Sequence, residues 1–173
     1  MKKTLLAILL VLALVVIPAG SALAANTQTV TVTATPTYIS ITNSQSTFGF
    51  GVVAAGSKPN TGTGWSTITN DSTVTIDINI KCNGWDGGAN DWTYASPATD
   101  DTGYLAASGT FGGTGGSGGA GLYDVEVLNG VDSLLCDNLA VGNNPAWELE
   151  LNAPTSFSFG NQQTTTVTLT AVP

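Results

Sequence analysis

Val74-Thr75-Ile76-Asp77-Ile78-Asn79-Ile80 places four β-branched aliphatic residues at every second position, with polar residues between them. Successive side chains of an extended chain point to opposite faces, so this stretch predicts a strand with one buried and one wet face. Tyr123-Asp124-Val125-Glu126-Val127 and Trp147-Glu148-Leu149-Glu150-Leu151 alternate in the same way. Weaker versions of the pattern fall at residues 29–35, 38–42, 47–53, 65–69, 91–95, 133–139 and 164–171. No stretch sustains a helical period, and Gly, Pro and Asn/Asp clusters supply turns between the candidates. About ten short strands predict an all-β fold, an antiparallel β-sandwich of immunoglobulin-like or jelly-roll kind.

The chain has 173 residues, with 12 acidic side chains against 4 basic ones and no histidine. Met1-Lys2-Lys3, the apolar run 5–17 and Ala22-Leu23-Ala24 form the three parts of a secretory signal peptide over residues 1–24. The apolar run is shorter than the roughly 20 residues a membrane span needs, so no membrane insertion is expected after signal removal. The expected organisation is then an N-terminal extended strand over 25–36 and a sandwich domain over 37–173. In that mature chain only Lys58 and Lys81 oppose the acids, which argues against nucleic acid, whose binding needs clustered Lys and Arg. Charged residues make up 9% of the chain, against about 25% in typical soluble proteins, and Gly, Ser, Thr and Asn replace them. That composition suits a secreted protein at the cell surface or outside it.

Reactive chemistry is sparse. Without histidine a Ser-His-Asp triad is impossible and the usual general base and zinc ligand are missing, so no enzyme and no catalytic residue is expected. Glu148 and Glu150 share a strand face and read as its solvated side, and Asp100-Asp101 reads as a turn. The run 112–121 holds seven glycines, without the lysine of a phosphate-binding loop, and reads as a flexible connection. Cys82 follows Ile80 by two and Cys136 follows Leu134 by two, so both belong on buried faces. In a secreted chain two such cysteines predict one disulfide, closing a long loop and worth about 4 kcal/mol.

No cofactor is expected, with calcium as the one alternative. Asp86, Asn90 and Asp91 are oxygen donors in the loop Asn83-Gly84-Trp85-Asp86-Gly87-Gly88-Ala89-Asn90-Asp91-Trp92. Calcium takes such donors, although the spacing is not that of an EF-hand and the same residues make ordinary turns. Trp85, Trp92 and Tyr94 offer either a sugar-stacking platform or ordinary core and rim packing. Asn70-Asp71-Ser72 is the one glycosylation triplet, placed at an expected turn.

The mature chain opens with threonines alternating with Val30, Val32 and Ala34, and closes with the similar run Thr166-Val167-Thr168-Leu169-Thr170-Ala171. Pro36 separates the first run from the body of the chain. Either both runs are ordinary edge strands of their own domain, or the first pairs with a neighbouring subunit and repeats head to tail into a filament. Together with the signal peptide, Thr47-Phe48-Gly49-Phe50-Gly51-Val52-Val53-Ala54-Ala55-Gly56 resembles the FG-x-V-x-x-G segment of many secreted bacterial sandwich proteins. Spore-coat-U-like proteins and fibre or pilus subunits that polymerise by strand donation are similar. The resemblance implies a donor strand over residues 27–35, with Thr29, Val30, Thr31, Val32, Thr33 and Ala34 at the subunit interface, and a groove between edge strands to receive it. The expected function is a homopolymeric structural subunit of an extracellular filament or surface layer. The alternative is a carbohydrate-binding module or adhesin that contacts surface glycans.

Overall fold

A computed structural model describes residues 30–62, 64–109, 121–122 and 124–173. The expected signal peptide, Thr29 and most of the glycine-rich run lie outside the described residues. The chain divides into two units, Met1–Thr35 and Pro36–Pro173. In the first, residues 30–35 form no strand, and Val30 and Val32 are 83% and 86% exposed. The second is all-β, with no helix among the described residues. Its strands are β1 (Ile41–Asn43), β2 (Ser66–Asn70), β3 (Ile76–Cys82), β4 (Thr93–Tyr94) and β5 (Thr102–Ser108), followed by β6 (Gly121–Leu122), β7 (Val125–Val127), β8 (Ser133–Leu139), β9 (Ala146–Asn152) and β10 (Val167–Val172).

Two sheets result. One runs β1-β2-β9-β5-β4, with β7 also on β5, and the other runs β10-β3-β8-β6. The alternation that predicted β3 is realised in full: Ile76, Ile78, Ile80 and Cys82 are buried, while Asp77, Asn79 and Lys81 on the other face are half-buried. Burying each isoleucine contributes about 1.5–3 kcal/mol, so this strand supplies a large share of the core energy. Ile68, Leu105, Ala107, Leu149 and Leu151 from the first sheet and Leu135 and Leu139 from β8 complete one core cluster.

Besides residues 30–35, three further strand expectations differ from what forms. Residues 47–53 make no strand, and Gly51 there takes φ 69°. Aromatic contacts anchor the segment instead, with Phe48 edge-on to Phe50 at 5.0 Å and to Trp65 at 5.5 Å. β5, which pairs with β9, β7 and β4, is an addition. Its Gly103 is required by close approach, since a Cβ there would lie 3.0 Å from the carbonyl of Asn152 and from Pro154. The third is β9, which is buried on both faces. Glu148, expected on a solvated side, is only 2% exposed, and Glu150 is half-buried.

The expected disulfide is not formed. Cys82 and Cys136 are both buried and free. Cys136 stands opposite Ile78 on β3, four residues from Cys82, a displacement of about 13 Å along the strand at ~3.3 Å per residue. A bridge needs Cα atoms within about 7 Å. The strict alternation assumed for β8 is also broken: Leu134 is 39% exposed while Leu135 and Cys136 are both fully buried. An extra residue, Leu135, falls in β8 between the pairs Ile78–Cys136 and Asn79–Leu134, and a second irregularity lies between Ile76 and Ile78, where Asn138 takes φ 50° and its N–H donates to Asp77 Oδ1 at 2.8 Å.

Burial, aided by the nearby Asp137 and Asp77 carboxylates, pushes the Cys136 thiol up to about 11. The folded form therefore holds that proton more tightly than the unfolded chain does. Its contribution to stability is whole below the ordinary thiol value near 9.0 and is lost as pH rises through about 11. Urea titrations from pH 8 to 11 should show falling stability, with a shallower fall in Cys136→Ala. Both thiols should react with a thiol reagent in denaturant without prior reduction, and neither should react in the native state.

Candidate functional site

Three places bear on function: the aromatic loop 83–94, the triplet at Asn70, and the outer edge of β10. In the loop, Trp85 is 9% exposed and its indole N–H donates to the Gly103 carbonyl at 3.0 Å. Its ring packs edge-on to Trp92 at 5.5 Å and stacks on Tyr94 at 5.8 Å, while Trp92 stacks on Phe157 at 5.3 Å. The Tyr94 hydroxyl accepts the Leu105 N–H at 2.7 Å and donates to the Val127 carbonyl. Burial holds that phenol well above its ordinary range, so it stays neutral. The structure thus brings Trp85, Trp92 and Tyr94 together, but their faces meet each other and Phe157. Trp85 is packed as a core residue, and Trp92 and Tyr94 beside it are half-buried, the arrangement of the core-and-rim expectation.

The acidic residues of the loop fasten its own backbone. Asp86 Oδ1 accepts the Gly88 N–H at 3.0 Å, and Asp91 Oδ1 accepts the Gly87 N–H at 2.7 Å. The Asn90 carbonyl accepts from the Gln163 amide at 2.8 Å, and that amide's oxygen accepts the Trp92 N–H at 3.0 Å. A Cβ on Gly87 would collide with the Gln163 side chain and the Asn90 carbonyl, so only glycine fits. Among the described residues, no group of three or more His, Cys, Asp or Glu side chains is placed to hold a metal. Asp86, Asn90 and Asp91 act as turn residues, the plainer of the two expectations for them.

Asn70 is 1% exposed. Its Nδ2 donates to the carbonyls of Leu139 at 2.7 Å and Val74 at 3.0 Å, and its Oδ1 accepts the Ser72 N–H at 2.8 Å. A glycan on that nitrogen would need the turn to unfold, which corrects the expectation of an accessible acceptor.

The closing run 166–171, an edge strand in one of the two expectations, forms β10 at the end of its sheet. Asn83 N–H donates to the Thr166 carbonyl at 3.0 Å, so Thr166 and Asn83 form a hydrogen-bonded pair. Continuing the antiparallel register, Thr168 and Thr170 also turn their backbone groups toward β3. The N–H and C=O groups of Val167, Leu169 and Ala171 therefore point outward, where they meet no partner among the described residues. Their side chains are half-buried and flank the core, while the threonines between them are exposed. Inside the other sheet, the side of β9 that β2 leaves unpaired is covered: Leu151 N–H donates to the Pro59 carbonyl at 2.9 Å and Ala153 N–H to that of Ser57 at 3.0 Å. β10 offers a bare ladder six residues long.

No protein-family model matches this chain, and neither a curated protein nor a solved structure is significantly similar to it.

Trp85→Ala should lower stability by about 3–5 kcal/mol, the usual cost of emptying a buried aromatic site. Asn70→Ala should cost about 1–3 kcal/mol, because it leaves the buried Leu139 carbonyl without its donor. Chemical denaturation checks both. The native chain made in a glycosylating host should carry an unmodified Asn70, read by intact mass.

Proposed function

We propose that this chain is a secreted structural subunit of an extracellular filament or surface layer. Its two sheets pack face to face as an antiparallel sandwich, and copies join when residues 27–35 of one pair with the outer edge of β10 in the next. The observation that carries this reading is the bare edge at Val167, Leu169 and Ala171. An unpaired, unblocked strand edge of this length is a template for another chain, and natural proteins ordinarily blunt one with charge, proline or a covering loop. β10 contains no charged residue and no proline.

The match to the N-terminal run supports the same reading. Val30, Val32 and Ala34 alternate with threonine, as do Val167, Leu169 and Ala171. Paired in register, the incoming valines would extend the apolar row of β10 toward the core margin, and the threonines would continue its wet face. Val30 and Val32 are the sort of exposed apolar side chains such a contact would cover. Donor and acceptor are different segments of one chain, so the contact is head-to-tail, and it grows into a filament when its rotation does not close a ring. Low charge favours dense packing of copies, and the signal-peptide pattern of residues 1–24 directs the chain outside the cell.

Deleting residues 25–35 after the signal should give a soluble monomer that forms no filaments by negative-stain microscopy and light scattering. Ala171→Pro should do the same from the acceptor side. It removes an outward N–H while leaving the β3 pairing intact, so its melting temperature should stay within a few degrees of the parent. Ordered filaments persisting in both variants would overturn strand donation.

A further inference from the structure

The dipeptide Asn-Gly occurs twice, at Asn83-Gly84 and Asn129-Gly130. It is the pairing in which an asparagine side chain is most open to attack by its own backbone. The peptide nitrogen of the following residue can reach Cγ, and glycine has no Cβ to obstruct the approach. Both asparagines are exposed, and the two dipeptides are neighbours, since a Cβ built on Gly84 would lie 3.4 Å from Asn129 Nδ2. The fold nevertheless holds their backbones differently.

Asn129 is fixed on both sides by the end of β3. Cys82 N–H donates to the Leu128 carbonyl at 2.9 Å, and Gly130 N–H donates to the Cys82 carbonyl at 2.8 Å. The Gly130 nitrogen can turn toward Asn129 Cγ only by giving up that bond. Asn83 follows β3 directly, and its N–H donates to the Thr166 carbonyl at 3.0 Å. The next pair is Asp86 with Thr164, so Gly84 and Trp85 together face Thr165 alone, a bulge with one extra residue. In that bulge Gly84 N–H has no partner among the described residues. The Asn83 carbonyl, which must swing with the same peptide plane, accepts only from the Thr165 hydroxyl, a side-chain donor that can turn about one bond and follow it.

We infer that Asn83 is a site of spontaneous deamidation and that the fold protects Asn129 from the same reaction. The Gly84 nitrogen attacks Asn83 Cγ and its proton passes through solvent to the leaving nitrogen. The bond from Cγ to Nδ2 breaks, ammonia departs, and a cyclic imide closes. Water then opens the imide at either carbonyl, giving aspartate or isoaspartate at this position. Both products add a negative charge, and isoaspartate also places one more carbon in the main chain. The change falls beside the pairs to Thr164 and Thr166, where the chain enters β10.

Peptide mapping of the purified protein held in warm, mildly alkaline buffer tests this. In the native state Asn83 should convert to aspartate and isoaspartate about five to ten times faster than Asn129, the difference that one backbone hydrogen bond makes to a rate. In concentrated urea, where both segments are released, the two rates should converge. Gly84→Ala should slow conversion at Asn83 severalfold in both states, because its methyl group crowds the attacking nitrogen. That variant should fold, since Gly84 does not take a left-handed φ and the added Cβ meets an ordinary contact. Equal native rates, faster loss at Asn129, no isoaspartate at Asn83, a difference that persists in urea, or undiminished conversion in Gly84→Ala would each overturn the inference.

Discussion

The molecule is organised around the demand that β3 be shielded on one face and paired along both edges. Ile76, Ile78, Ile80 and Cys82 are wholly buried, and the same strand is bonded by β10 on one side and β8 on the other. A strand so placed leaves few of its backbone groups and none of its apolar side chains in water, which is why the opposing leucines of β5 and β9 can pack on it. The arrangement moves the unsatisfied edge outward to β10, where the ladder stops. Inside the other sheet, residues 57–61 continue the pairing of β9 beyond the end of β2.

Legibility in the sequence followed the strength of local alternation. β3, β8 and β9 were readable because β-branched or large apolar residues recur along them at close to every second position. β5 was not, because Gly103, Ala106 and Ala107 carry too little apolar bulk to register as a strand, and the close approach of Asn152 and Pro154 holds the first of these to glycine. The cysteines illustrate a limit of parity arguments. Spacing by two can predict which face a residue takes, but pairing depends on register between strands distant in sequence, and irregularities on both sides of the Ile78–Cys136 pair reset that register.

The functional residues obeyed the same division. The triplet at Asn70 is visible in one line of sequence, yet its accessibility depends on carbonyls of Val74 and Leu139, the latter far along the chain. Trp85, Trp92 and Tyr94 stand together in sequence and in space, and their mutual packing fixes the loop to β5 and to Phe157. The closing threonine alternation marks 166–171 as a strand, but which of its backbone groups stay unpaired is a property of its neighbours.

The separation of Cys82 from Cys136 has a wider consequence. With no covalent tie between its strands, the native state is indifferent to the redox poise around it. It can form as completely in a glutathione-rich cytosol as in an oxidising exterior, and it needs neither an oxidant nor a disulfide isomerase to reach its final state.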